Sequence, residues 1–213
     1  MADTAARSPR KRKGLGPERR EEILGAALRL FAQYGLYGVS TRQIAAAVGI
    51  SQPTLYAYFP SKHAMVEELH ERAFKDLHRR LVAGVGDLMT RDSLASGLRI
   101  YVDFGLENPD AYRVAFMIED PIGRPASGGN LEVSPGAQAA FGVLRASVAA
   151  MHAQGLTRSN DPEQLAQSLW AGMHGLVSLL IARPEFPWVE RETLIRGHLD
   201  LLIYAAMRPE APG

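Results

Sequence analysis

The stretch VSTRQIAAAVGISQPTLYAYF, residues 39–59, reads as two short helices joined by a tight turn. Ser40 is placed to cap the first helix, with Gln43 at the return position of a capping box. Ile44, Ala45 and Val48 give that helix one apolar side. Gly49 breaks it, and Ile50 offers an apolar side chain to bury in the turn. Ser51 caps a second helix that opens Gln52-Pro53-Thr54, where proline costs nothing because first-turn amides have no intrahelical acceptor. This is the pattern of a helix-turn-helix. In that motif the N-terminus of the second helix meets base edges in the major groove, so the residues predict a DNA-binding protein.

Two helices this short bury no core alone. Residues 18–34 supply a third, with Ile23, Ala27, Leu30, Phe31 and Tyr34 recurring at helical spacing, and Leu55 and Phe59 are expected to meet that stripe. An ordinary helical hairpin is the alternative. Gln52, Thr54, Tyr56 and Tyr58 argue against it, because they form an outward face of hydrogen-bonding groups and aromatic hydroxyls.

Residues 18–65 resemble the DNA-binding domain of the TetR family of bacterial repressors. The resemblance rests on LFAQYG (30–35), STRQIAAAVGIS (40–51) and QPTLYAYFPSKHAM (52–65), including the tyrosine-x-x-phenylalanine, turn and lysine at Tyr56, Phe59, Pro60-Ser61 and Lys62. It covers about the first third of the chain. It implies an all-α protein of about nine helices, with a helix-turn-helix head and a helical body that holds a ligand cavity and forms a homodimer. The expected divisions are a basic disordered arm over 1–16, the head over 17–62 and the body over 63–208. The resemblance further implies a repressor of a palindromic operator, released by a small apolar or aromatic effector. A regulator or activator that works without ligand is the alternative.

Charge is unevenly spread. Residues 1–80 carry 14 Lys+Arg against 8 Asp+Glu, net +6, and the rest carries 10 against 15, net −5. A basic head on an acidic body fits a head that touches polyanion. RSPRKRK at 7–13 holds five of the cations. It reads as a solvated tail, as an arm following phosphates or entering the minor groove, or as both, since disordered arms order on binding. There is no cysteine, which excludes disulfides, thiol catalysis and thiolate-bound zinc. No apolar stretch follows the N-terminal charges as in a signal peptide. The apolar run 169–182 is shorter than the ~20 residues that span a bilayer. The expectation is a cytoplasmic protein with no membrane partner.

Beyond the head the pattern stays helical. Ser61 caps a long helix with Val66, Leu69, Ala73, Leu77, Leu81, Val85 and Leu88 on one stripe, followed by a helix from about Asp92 to Glu107 bearing Leu94, Leu98, Tyr101 and Leu106. Asn108-Pro109 reads as N-cap and first-turn proline of a short helix through Tyr112 to Phe116. Residues 117–134, with Pro121, Pro125 and Ser127-Gly128-Gly129-Asn130, are expected to be disordered. Helix resumes over 135–154, with Phe141, Leu144, Val148 and Met151 on one face, and Gly155 ends it. Asp161-Pro162-Glu163-Gln164 starts another helix reaching about Ala182, Pro184 and Pro187 break it, and a last helix spans 189–207.

Those last two helices read as apolar on more than one face. Leu165, Leu169, Met173, Leu176, Val177, Leu180 and Ile181 lie in the first, and Leu194, Ile195, Leu199, Leu201, Leu202 and Ile203 in the second. A helix apolar nearly all round is covered on both sides. A second copy of the chain is the expected cover, with Gly172, Gly175 and Ser178 permitting close approach. Plain core is the alternative. Trp170, His174 and Gly175 form W-x-x-x-H-G, similar to the tryptophan–histidine–glycine signature of one TetR-family C-terminal domain, and residues 107–113 also resemble that subgroup. Trp170 and His174 lie one turn apart on one face, as core or pocket wall. Lining candidates for the implied cavity are Tyr101, Phe104, Tyr112, Phe116, Phe141, Met151, Trp170 and His174. Aromatics with polar tips suit an apolar or aromatic molecule, and they would serve equally as core.

The expected DNA contacts are Thr41, Arg42, Gln52, Pro53, Thr54, Tyr56, Tyr58 and Lys62. Gln52, Thr54 and Arg42 are placed to read bases, and Thr41, Tyr56, Tyr58 and Lys62 to hold phosphates. The histidines at 63, 70, 78, 152, 174 and 198 are scattered without metal-ligand spacing. There is no G-x-S-x-G, no phosphate-binding glycine loop and no carboxylate pair. The sequence therefore predicts neither an enzyme nor a metal or cofactor.

Overall fold

The computed structural model describes residues 16–86, 90–117 and 134–209. The basic segment 7–13, Leu88 and residues 118–133 of the expected disorder over 117–134 lie outside the described residues. Among the described residues the chain is all-α: nine α-helices and one π-helical turn, with no strand beyond a lone antiparallel bridge between Thr157 and Met207. The helices divide into two compact units, with the boundary between Met65 and Val66.

The first unit holds α1 (Gly16–Tyr34), α2 (Thr41–Ala47), α3 (Gln52–Tyr56) and the first residues of α4 (Lys62–Gly84). Local chemistry fixes each end. Ser40 and Gln43 form a reciprocal capping box on α2. At the other end Ile50 N–H donates to Ala45 O and Gly49 N–H to Ala46 O, the Schellman pattern, with Gly49 at φ +66° in the left-handed region only glycine adopts freely. Ser51 caps α3 by accepting from Thr54 N–H, and Pro53 sits in its first turn. Each such cap contributes about 1 kcal/mol. Ile23, Ala27, Phe31, Ile44, Leu55 and Phe59 are buried as the spacing predicts. Tyr34 is not: it is 55% exposed. Gly35, at φ +72°, turns the chain out of α1, and Leu36 and Val39 from the following loop are buried instead.

The second unit holds the rest of α4, then α5 (Arg91–Glu107), α6 (Pro109–Tyr112), the π turn (Arg113–Met117), α7 (Pro135–Ala153), α8 (Pro162–Ala182) and α9 (Arg191–Ala206). Val66, Leu69, Ala73, Leu77, Leu81 and Val85 of the α4 stripe are all buried. Asn108 does not cap α6 with its side chain. Its amide donates to Phe104 O, closing the end of α5, and Pro109 alone marks the start of α6. Asp161 caps α8 by accepting from Glu163 and Gln164 N–H. The cap of α9 is Glu190, which accepts from Glu192 and Thr193 N–H, so that helix begins after Val189 rather than at it.

The seven apolar residues expected to need a partner on α8 are all buried within one chain, as are Ile195, Leu199 and Ile203 on α9. At 21 residues α8 is long and apolar enough to cross a membrane by composition, but those side chains are spent on the core. Gly172 also serves the single chain: a Cβ there would sit 2.9 Å from Leu202 Cδ2, so its bareness lets α9 approach α8. A narrower face stays open. Leu179 on α8 is 51% exposed, and Leu201 and Tyr204 on α9 are 68% and 66% exposed. A Cβ on Gly175 or Gly197 would meet nothing within 4 Å.

Candidate nucleic-acid interface and ligand cavity

In the first unit α2 and α3 carry a shared polar seam. Gln52 Nε2 donates to Thr41 Oγ1 at 2.9 Å, and Thr41 Oγ1 lies 3.3 Å from Tyr56 Oη. The Thr41 hydrogen bond, then that of Gln52, lowers the Tyr56 pKa from its ordinary value. Thr54 Oγ1 pairs with the capping Ser51 Oγ at 2.8 Å. Arg42, Pro53, Thr54 and Tyr56 are exposed, and Thr41, Gln52 and Tyr58 are half-buried. One turn of helix thus brings Gln52, Thr54 and Tyr56 together with Thr41, in reach of a ligand laid along the start of α3. The seam orients Gln52 and Tyr56 without burying them, which lowers the entropy lost when they bind.

Lys62 is placed differently from its expected role. Its Nζ donates to Leu36 O at 2.6 Å and Val39 O at 2.9 Å, tying the α1–α2 loop to the start of α4. That ammonium is a structural clamp before it is a phosphate contact. Two other cations are similarly engaged. Arg19 donates to Val48 O at the turn and pairs with Glu22, and the Arg20 guanidinium lies 4.5 Å from the Phe59 ring centroid.

The second unit contains a cavity of about 1040 Å³, walled by α4, α5, the π turn, α7 and α8. Its interior is apolar: Phe74, Leu77, Leu81, Leu94, Leu98 and Met173 line it and are buried. Gln138, Arg145, Gln167 and Ala171 line it and are exposed, so its mouth lies along α7 and α8. Arg145 Nε is held at 2.7 Å by Glu163 Oε2.

Five of the eight expected lining residues face this space: Tyr101, Phe116, Phe141, Trp170 and His174. Phe104, Tyr112 and Met151 do not. Phe104 is buried, with Arg80 5.6 Å from its ring centroid, and Met151 is fully buried in the core. Tyr112 stands behind the wall with no exposure, stacked on Phe116 at 4.6 Å and on His174 at 5.7 Å. Apart from Tyr101, the α4 and α5 wall residues read in the sequence only as the apolar stripes of their helices. Helical spacing identifies an apolar face but carries no signal that the space beyond it is empty.

Within the wall runs a chain of hydrogen bonds. Trp170 Nε1 donates to Tyr101 Oη at 3.3 Å, and Tyr101 Oη lies 2.9 Å from Tyr112 Oη. Tyr112 Oη lies 2.7 Å from His174 Nδ1, and His174 Nε2 lies 3.3 Å from Ser178 Oγ. Burial pushes the Tyr101 pKa up to about 12, raises that of Tyr112 further, with Tyr101 adding to the effect, and lowers that of His174. The chain is therefore uncharged at neutral pH, as an apolar cavity requires.

Residues 23–69 match the family described as bacterial regulatory proteins, tetR family, and residues 94–201 match the tetracyclin repressor-like C-terminal domain. The chain is similar to the nucleoid occlusion factor SlmA of Haemophilus influenzae, at 32% identity over 119 residues, 53% of this chain and 55% of that protein. The match thus spans about half the length of those curated relatives. It is similar over more of its length to the HTH-type transcriptional regulator RutR of Escherichia coli K12, at 27% identity, covering 80% of this chain and 79% of that one. Its fold resembles that of AibR, solved in complex with isovaleryl coenzyme A and operator DNA, with a TM-score of 0.71, 19% identity, and 87% and 98% of the two chains covered.

Proposed function

The chain belongs to the TetR family of bacterial regulatory proteins, and on that footing we propose that it is a cytoplasmic DNA-binding repressor, without enzymatic activity, that binds a palindromic operator as a homodimer and is released by a small apolar or aromatic effector. The cavity of about 1040 Å³ in the second unit carries the effector half of this reading. Well-packed interiors leave few voids larger than a water molecule. A space of this size, apolar inside and polar at the mouth, suits a bound molecule. AibR, which has the same fold, was solved with both a small molecule and operator DNA. Trp170 and His174 on the cavity wall support placement in the tryptophan–histidine–glycine subgroup.

Gln52, Thr54 and Arg42 read bases in this proposal, with Pro53 shaping the helix start, while Thr41, Tyr56 and Tyr58 meet phosphates. The homodimer forms through the open face of α8 and α9, where Leu179, Leu201 and Tyr204 stand beside bare Gly175 and Gly197. Two heads on a two-fold axis then read half-sites about 34–36 Å apart. Release follows when the effector prefers a state of the body whose heads no longer match that spacing. The helix Lys62–Gly84 starts in the first unit and continues in the second, so it is the element through which that preference reaches the head. Selection of binding sites from a random DNA pool, followed by footprinting, tests the DNA half. A two-fold symmetric site is expected, and recovery of no preferred sequence refutes it.

A further inference from the structure

The hydrogen-bond chain in the cavity wall has a direction that can be worked out from its donors. The Trp170 indole N–H only donates, so it fixes one end on Tyr101 Oη. Tyr101 then passes its own proton to Tyr112 Oη, Tyr112 passes its proton to His174 Nδ1, and His174 keeps a proton on Nε2 toward Ser178 Oγ. In this arrangement every donor from Trp170 to His174 is used within the protein. The reverse arrangement puts the ring proton on Nδ1, with Ser178 donating to Nε2 and Tyr112 to Tyr101. Tyr101 O–H is then left facing the cavity it lines, with no acceptor among the described residues. In the first arrangement the Tyr101 proton is held by a fixed protein acceptor, whereas in the second it depends on cavity solvent, so the ligand-free protein favours the first arrangement.

Building on the effector cavity proposed above, we propose that its ligand is a neutral carbonyl compound whose oxygen accepts a hydrogen bond from Tyr101 Oη and so reverses the chain. The oxygen supplies the one acceptor that the reversed arrangement lacks. The reversal balances: cavity water supplies a proton at Tyr101 Oη, the Tyr101 proton passes to Tyr112 and the Tyr112 proton to His174 Nδ1, the Nε2 proton leaves to water as the Ser178 hydroxyl turns to donate, and no net charge moves. A carboxylate does not fit the interior. The cationic side chain at the mouth, Arg145, is already held by Glu163, and His174 is neutral. The buried lining brings no other cation. The consequence extends beyond the cavity, because Ser178 changes from acceptor to donor on α8, next to Leu179 of the open face.

The test uses the full chain and two matched pairs of probes, each differing only by CH₂ against C=O: fluorene with fluorenone, and diphenylmethane with benzophenone. Calorimetry gives the affinity ratio within each pair, and ¹⁵N shifts of the His174 ring give its tautomer. The wild-type protein is expected to hold the proton on Nε2 when empty and on Nδ1 with ketone. It is expected to bind each ketone about three- to tenfold more tightly than its hydrocarbon, the range of one net hydrogen bond. Tyr101→Phe is expected to bring that ratio to about one and to leave the ring proton on Nε2. Fluorene-9-carboxylate is expected to bind more weakly than fluorene. If hydrocarbons bind and ketones bind no better, or if the tautomer is the same in both states, the carbonyl assignment falls while the cavity reading stands. If no probe of either kind binds, both fall.

Discussion

Leu201→Asp is expected to dissociate the dimer while leaving the subunit folded. Leu201 is 68% exposed, so the single chain gains little from its side chain, and a surface substitution of this kind costs the subunit about 0.5 kcal/mol or less. Burying a whole leucine side chain contributes about 1.5–3 kcal/mol. About two-thirds of that remains available to a partner, on the order of 1–2 kcal/mol per copy. A two-fold interface contains the residue twice, so removing it weakens association by about 2–4 kcal/mol, or roughly 30- to 700-fold in dissociation constant. The buried aspartate adds to the loss. Sedimentation equilibrium over a concentration series reads the constant directly, and a thermal melt at low concentration reports whether the subunit stays folded. Ile203→Asp is the contrast, because Ile203 is buried within the chain and its loss unfolds the subunit. If Leu201→Asp dimerises as tightly as the wild type, the interface does not use this face.

Three further outcomes follow from side-chain placement. Lys62→Met is expected to lower the stability of the first unit by about 1.5–3 kcal/mol, the scale of hydrogen bonds to a charged group, seen as earlier loss of its amide protection in hydrogen exchange; normal protection would mean the two carbonyl bonds add nothing. Gln52→Ala is expected to cost about 1–3 kcal/mol at one base pair, while Tyr56→Phe weakens binding to all sequences alike; the opposite pattern across a panel of mutated operators would reverse the two roles. Gly172→Phe is expected to destabilise the fold by about 1–3 kcal/mol through overpacking against Leu202, with any ligand response unchanged in molecules that still fold; a stable variant that no longer responds would put this glycine at the ligand site after all.

The helix-turn-helix was legible because its signals are local. Ser40 with Gln43, Gly49, and Ser51 with Pro53 each act within one turn of their own position. Asp161 and Gly155 were readable for the same reason. What failed to show was decided by residues far apart in the chain. The clamp made by Lys62 was not legible, because its carbonyl partners lie 26 and 23 residues away. Gly172 looked like a residue of the dimer contact, and only the position of Leu202 shows that it serves the α8–α9 contact within one chain. Periodicity made Phe104 and Phe116 equivalent, yet one is packed under Arg80 and the other faces open space. The hydrogen-bond chain joins Tyr101 and Tyr112 to Trp170 and His174 across 60 to 70 residues, and no spacing rule reaches that far.

Occupying the cavity covalently tests the central claim whatever the identity of the effector. The chain has no cysteine, so Ala171→Cys on the cavity wall gives a single thiol, and Ala149→Cys on exposed α7 surface, outside the cavity and away from the α8–α9 face, gives a control. Each is labelled with benzyl methanethiosulfonate, and operator affinity is measured by fluorescence anisotropy before labelling, after it, and after reductive release. Allosteric couplings of about 1–3 kcal/mol predict a 5- to 150-fold loss of operator affinity for labelled Ala171→Cys, restored by reduction, and no change for labelled Ala149→Cys. A filled cavity that leaves operator affinity unchanged, or that tightens it, would contradict a ligand-released repressor.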